Sequence, residues 1–345
     1  MSVNHYVNGC VACISLDRPN SLNALTFDMI KEITTILNSV RNDAKIKIVI
    51  FKGEGEKAFC AGGDVKKFYD ENHTDSFYLR KNFFYNEYKL NYMIKNFSKP
   101  IISLVNGICM GGGVGLSAHG KKVIVSENVK FAMPETAIGL FPDVGAGKIL
   151  SSLKNQLGTY LGLTGKRINS ADLIEIGLAQ YCVPYESFDI LEQKLSNIDD
   201  VSQIDSLIHN FSIKVQSDFF PHNNNEILHC FNSNKMEEIV LNLQKNNAPW
   251  SDEALMFIKQ KSPTSLKITL KQLIMAKDLS LKEDLVMEYR LSQACMKGHD
   301  FYEGVRSVLV DKDHNPKWNP ATLEDVTDEI VESHFISLGE GDLKL

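Results

Sequence analysis

The chain is 345 residues long with 43% hydrophobic and 23% charged residues, enough to bury a substantial core in one large domain or two. A formal net charge of -6 argues against a nucleic-acid partner, which needs a clustered basic face. No apolar run reaches membrane-spanning length, so no membrane partner is expected.

Seven cysteines (Cys10, Cys13, Cys60, Cys109, Cys182, Cys230, Cys295) are scattered, mostly in apolar segments, and read as buried reduced thiols. Cys10 and Cys13 form a CxxC on a strand-like run with no second pair, so no metal or redox centre is read there. The opening MSVNHYVNG has neither a secretory core nor the arginine of a mitochondrial presequence. That leaves a cytosolic location or a targeting segment outside this sequence. Leu343-Lys344-Leu345 resembles a peroxisomal address only loosely and reads as a solvated tail.

In chain order, CVACISL at 10–16 reads as a strand closed by Asp17-Arg18-Pro19. Asn23-Ala24-Leu25 leads into Thr26–Val40, whose apolar residues Met29, Ile30, Ile33, Ile36 and Leu37 have helical spacing. KIKIVIF at 45–51 reads as a buried strand, and a polar loop then delivers Ala61-Gly62-Gly63-Asp64. Aromatics at helical spacing fill 77–94, and Ile101–Val105 is a further strand broken at Asn106-Gly107. Three glycines, Gly111–Gly113, precede a small-residue segment, and Val123–Val125 is again apolar. A helix is expected over 144–153 and an extended piece over 180–183. This alternation of strand and helix indicates an α/β architecture with repeated crossovers. Beyond Pro184 glycine becomes rare, and 236–243, 266–275 and 281–296 show helical amphipathicity, with HNNNE (222–226) and NNAP (246–249) as connecting loops. We therefore expect an α/β core over 1–195 that carries the active site, and a mainly helical region over 196–345 packed on it.

Two glycine turns after two buried strands permit close backbone approach to a ligand. N–H groups from separate strand ends can then stabilise one developing oxyanion, where losing a single donor costs ~10²–10³ in rate. Helix–sheet packing explains Gly111–Gly113 equally well. The glycines do not form GxGxxG, and neither GxSxG nor GxxxxGK[ST] occurs in the chain. Glu135 and Asp143 bracket a short apolar stretch, and a desolvated carboxylate suits general acid/base work. Glu87 sits among aromatics, where an amphipathic helix face is the simpler explanation, and His119 is read as core or surface.

RPNSLNAL at 18–25, AFCAGGDV at 58–65, GICMGGGVGLS at 107–117 and FAMPETAIGLFPDVGAG at 131–147 resemble the crotonase (enoyl-CoA hydratase/isomerase) superfamily. SPTSLKITL at 262–270, MEYRLSQACMKGHDFYEGVR at 287–306 and DKDHNPKW at 311–318 are similar to its 3-hydroxyisobutyryl-CoA hydrolase branch. The resemblance implies a crotonase-type ββα superhelix core with a mainly helical C-terminal part. It implies an oxyanion hole from the N–H groups of Gly63 and Gly112, catalytic acids Glu135 and Asp143, and substrate contacts from Glu87, Ala24 and Ala61. One hydratase glutamate falls at Gly115 and the other at Glu135, while hydratases carry glycine at Asp143, so hydration is disfavoured. The expected reaction is hydrolysis of 3-hydroxyisobutyryl-CoA in valine catabolism, in mitochondria by resemblance, with no cofactor because CoA belongs to the substrate. The alternatives are a related ester such as 3-hydroxypropionyl-CoA, hydratase or isomerase activity, and a non-catalytic binder of CoA esters or protein. Superfamily relatives often trimerise, so an oligomer is possible.

Overall fold

The computed structural model describes residues 2–72 and 78–345, which leaves Phe77 of the aromatic stretch outside the described residues. The described residues form nine strands: β1 (Val3–Asn8), β2 (Val11–Leu16), β3 (Ile48–Gly53), β4 (Ala58–Cys60), β5 (Ile101–Val105), β6 (Ile108–Met110), β7 (Lys122–Val125), β8 (Lys130–Ala132) and β9 (Tyr181–Cys182). A six-stranded sheet runs β1-β2-β3-β5-β7-β9, parallel except for the β1–β2 hairpin. A three-stranded sheet runs β4-β6-β8. Every residue of β2 and β5 is buried, as interior strands of a parallel sheet require. The sheet packs Val11, Ile48, Ile50, Ile102, Leu104 and Ile124 against the apolar faces of Phe188–Leu195 and Ile204–His209.

The chain forms two compact units that interleave in sequence instead of following a cut near residue 195. The first takes Met1–Gly63, Lys89–Phe131 and Arg167–Pro221; the second takes Asp64–Tyr88, Ala132–Lys166 and His222–Leu345. Both sheets and their parallel crossovers belong essentially to the first. The second is helical, with Pro249–Lys259, Pro263–Ala276, Leu281–Cys295 and His299–Val305 as main elements. Its helix starts are locally encoded. Ser280 and Glu283 form a reciprocal capping box, and Ser262 caps Pro263–Ala276 with proline at the first helical position.

Two expectations change, and one element is unanticipated. The asparagine-rich 222–226 stretch is not a loop but lies inside the helix Phe219–Phe231, because buried Phe220, Ile227, Cys230 and Phe231 outweigh the poor helix propensity of asparagine. The helix after Asp143 starts only at Ala146, since Val144 and Gly145 both take positive φ. The N-terminal segment pairs as edge strand β1, with four of its six residues exposed and hence no apolar alternation to reveal it.

Candidate active site

In the first unit, parallel pairing of β4 with β6 brings the two glycine turns together. A Cβ built on Gly62 (φ +110°) would lie 3.5 Å from the Met110 carbonyl oxygen and 3.8 Å from the Gly112 nitrogen. Gly112 is the first residue of the helix Gly112–Ser117, so its N–H is one that a helix leaves without an internal partner. The triple glycine divides its labour. Gly111 makes the turn at φ +48°, whereas Gly113 packs so tightly that a Cβ would meet the Cys60 carbonyl oxygen at 2.4 Å. Helix–sheet packing and a helix-start N–H thus fall to different glycines.

RPNSLNAL supports this turn from behind. Fully buried Asn23 donates to the carbonyls of Glu54 (2.9 Å) and Ala58 (2.8 Å) and accepts from the Arg18 N–H (2.8 Å). The chain then runs beside the glycines: Ala61 N–H donates to Leu22 (3.0 Å), Leu25 N–H donates to Gly62 (2.8 Å), and Leu25 bridges Gly63. Ala24 and Ala61 therefore lie on neighbouring segments. His119 is buried.

In the second unit, three carboxylates are gathered in apolar surroundings. Glu87, Glu135 and Asp143 are 3%, 6% and 4% exposed. Glu87 lies on the helix Tyr78–Lys95, Glu135 opens a short 3-10 turn to Ile138, and Asp143 ends the loop that follows. The Tyr88 hydroxyl donates to Asp143 Oδ2 at 2.8 Å, while Glu87 Oε1 and Glu135 Oε2 have no hydrogen-bond partner among the described residues. The Glu135 turn is held from the C-terminal side. The Ser262 N–H donates to the Thr136 carbonyl (3.1 Å), and the Ser262 hydroxyl donates to Asp300 Oδ2 (2.5 Å).

Burial dominates the electrostatics. Loss of water pushes the Asp143 carboxyl up to about 7, against the opposing hydrogen bond from Tyr88. Glu135 is raised well above the carboxylate range by burial and then by Asp143, and Glu87 by burial, Asp143 and Glu135. Lys261 opposes this on Glu135. It is buried, its Nζ lies 3.5 Å from where a Cβ on Gly165 would stand, and burial lowers its pKa to about 8. The arrangement stores carboxylic groups whose charge is costly, a setting for nucleophilic or proton-transfer chemistry near neutral pH.

An enoyl-CoA hydratase/isomerase family model matches residues 11–335. The chain belongs to this family. It is 46% identical to the mitochondrial 3-hydroxyisobutyryl-CoA hydrolase of Bos taurus and 45% identical to that of Homo sapiens, in each case over 97% of this chain and 89% of the relative. Among solved structures, a carnitinyl-CoA dehydratase from Mycobacterium thermoresistibile superposes with a TM-score of 0.93 at 35% identity, covering 99% of this chain and 98% of the other. An enoyl-CoA hydratase from Rhodobacter sphaeroides 2.4.1 does so with 0.93 at 33%, covering 100% of both. The chain has the crotonase fold with a helical C-terminal part.

Sequence reasoning missed Tyr88, Lys261 and a second acid pair, Asp284 and Glu288. Tyr88 is adjacent to Glu87, but consecutive helical residues point about 100° apart, so nothing local ties it to Asp143. The pair did leave a signal. Asp284, Glu288 and Ser292 occupy the same helical stripe as Leu281, Leu285 and Cys295, and all three are buried.

Proposed function

We propose that this chain is an acyl-CoA thioester hydrolase that converts 3-hydroxyisobutyryl-CoA and water to 3-hydroxyisobutyrate and CoA, in valine catabolism and in mitochondria. The observation that carries this reading is the acid set. Glu135 and Asp143 are buried together in one helical unit, while the position of the other hydratase glutamate is Gly115, buried in the helix Gly112–Ser117. A chain with that blank lacks the carboxylate pair for adding water across a double bond. The hydrolase relatives named above support the substrate, and no cofactor is invoked.

The N–H groups of Gly63 and Gly112 hold the thioester carbonyl as it gains negative charge. Glu135 either attacks the carbonyl carbon, expelling CoA thiolate and leaving a mixed anhydride that water opens, or takes a proton from the attacking water. Asp143, close to neutral pH in its titration, passes a proton to the departing thiolate. Glu87 hydrogen-bonds the 3-hydroxyl; a substrate lacking that group leaves a buried acid unpaired, which is how a polar pocket discriminates. Ala24 and Ala61 line the acyl-CoA on the glycine side.

A thiol-release assay across 3-hydroxyisobutyryl-, 3-hydroxypropionyl-, isobutyryl- and crotonyl-CoA tests the reading. The expected order places the two hydroxylated esters far ahead. Equal rates with isobutyryl-CoA would remove the role given to Glu87, and hydration of crotonyl-CoA without thiol release would overturn hydrolysis. Single turnover in oxygen-18 water separates the two routes, because the anhydride route puts the first label on an enzyme carboxylate.

A further inference from the structure

The backbone after Asp143 is strained. Val144, a β-branched residue, sits at φ +60° and Gly145 follows at φ +83°. A side chain branched at Cβ adopts that conformation only where its surroundings impose it. Beside this backbone lies a buried carboxylate that the proposed reaction does not use.

Glu288, fully buried on the helix Leu281–Cys295, reaches this loop from the side. Its Oε2 accepts the Gly145 N–H at 2.6 Å and its Oε1 accepts the Gly147 N–H at 3.0 Å. Gln272, also fully buried, donates from one Nε2 to both the Pro142 carbonyl (2.8 Å) and Glu288 Oε1 (3.2 Å). The residue before Asp143 and the second residue after it are thus gripped by one connected pair of side chains. Asp284, one helical turn earlier, adds a bond from the Lys148 N–H at 2.8 Å, and its Oδ1 leaves no room for a Cβ on Gly147 (2.3 Å).

We infer that Glu288, with Gln272, is a positioning residue that holds Asp143 in reach of Tyr88 and of the reacting thioester by fixing the Pro142–Gly145 backbone in its strained form. The inference rests on the hydrolase reading above for its kinetics, but not for its geometry. A glutamate is suited to the task because a carboxylate offers acceptors on both oxygens, whereas the amide of glutamine turns one of them into a donor facing another N–H.

Glu288→Gln tests it. The expected result is a fall in kcat of about 10²-fold with KM within about threefold, the effect of misplacing a reacting group by about 1 Å. Adding Val144→Gly to that variant restores part of the loss, because glycine takes positive φ without strain. Combining Glu288→Gln with Asp143→Asn costs no more than Asp143→Asn alone. A variant that keeps kcat within threefold, or losses that simply add in the double variant, would overturn the inference. Should Glu288→Gln not fold, Gln272→Met leaves the glutamate and removes the hold on Pro142; the same kinetic outcomes then apply. A crystal structure of either variant provides the readout that does not depend on substrate. Asp143 displaced from Tyr88 supports the clamp, and Asp143 unmoved refutes it, even if the wild-type chain hydrolyses none of the esters tested.

Discussion

The groups proposed to act in hydrolysis are prepared by different physical means in the two units. In the sheet-bearing unit the proposed groups are backbone N–H groups. Their placement follows from β4–β6 pairing and from three glycines with distinct duties. Backbone amides do not titrate, and Gly62 could not accept a side chain at its φ without strain. In the helical unit the proposed groups are carboxylates, and the packing that desolvates them pushes their pKa values up. The first device is built by secondary structure. The second is held against its own electrostatics by Tyr88, Lys261 and the Glu288 clamp. The contrast teaches where perturbation acts: changes in the glycine turns affect rate without pH dependence, whereas changes among the acids alter pH profile and stability together.

The largest expected effect on the backbone side comes from Gly112→Pro. It deletes the N–H at a first helical position, where proline is tolerated, and lowers kcat for thiol release about 10²–10³-fold with an unchanged pH profile. A shifted pH profile would show that the backbone donor and the acids cannot be separated as described.

On the acid side, Lys261→Met removes the cation that holds the Glu135 pKa down. The acid limb of kcat/KM then moves to higher pH, while Lys261→Arg stays near wild type. An unmoved limb in the methionine variant would remove Lys261 from the site.

The smallest effect is thermodynamic. Asp143 has a folded pKa of about 7, above the ordinary carboxylate range, so the folded state binds the extra proton in between. Its contribution to stability is present at low pH and is lost as pH rises through about 7. Asp143→Asn, which cannot ionise, therefore melts a few degrees higher than wild type at pH 8, and the gap narrows steadily as pH falls from about 7 towards about 4, by calorimetry. A variant less stable than wild type at pH 8 would contradict the claim that this carboxylate is held at a cost.

How far the sequence discloses these two regions follows the same contrast. The strands, the glycine turns and the crossover rhythm are local features, encoded by apolar runs and by glycines at strand ends. The edge strand β1 escapes because it buries little. Glu135 and Asp143 stand out as acids in apolar company, yet their partners come from elsewhere in the chain. Tyr88 bonds Asp143 across 55 residues, and Glu288 reaches Gly145 across 143. The asparagines at 223–225 mislead because helix propensity is weak against a well-packed apolar face. Polar residues on an otherwise apolar helical stripe, as at Asp284 and Glu288, are the pattern that marks such distant support.

The central claim is that the buried acids perform thioester hydrolysis, and Glu135→Ala addresses it most directly. Thiol release from 3-hydroxyisobutyryl-CoA is followed beside far-ultraviolet circular dichroism and melting of the same preparation. The account predicts loss of turnover by at least about 10³-fold with the fold intact, the scale of removing a nucleophile or base. Full retained turnover in the folded variant would contradict it.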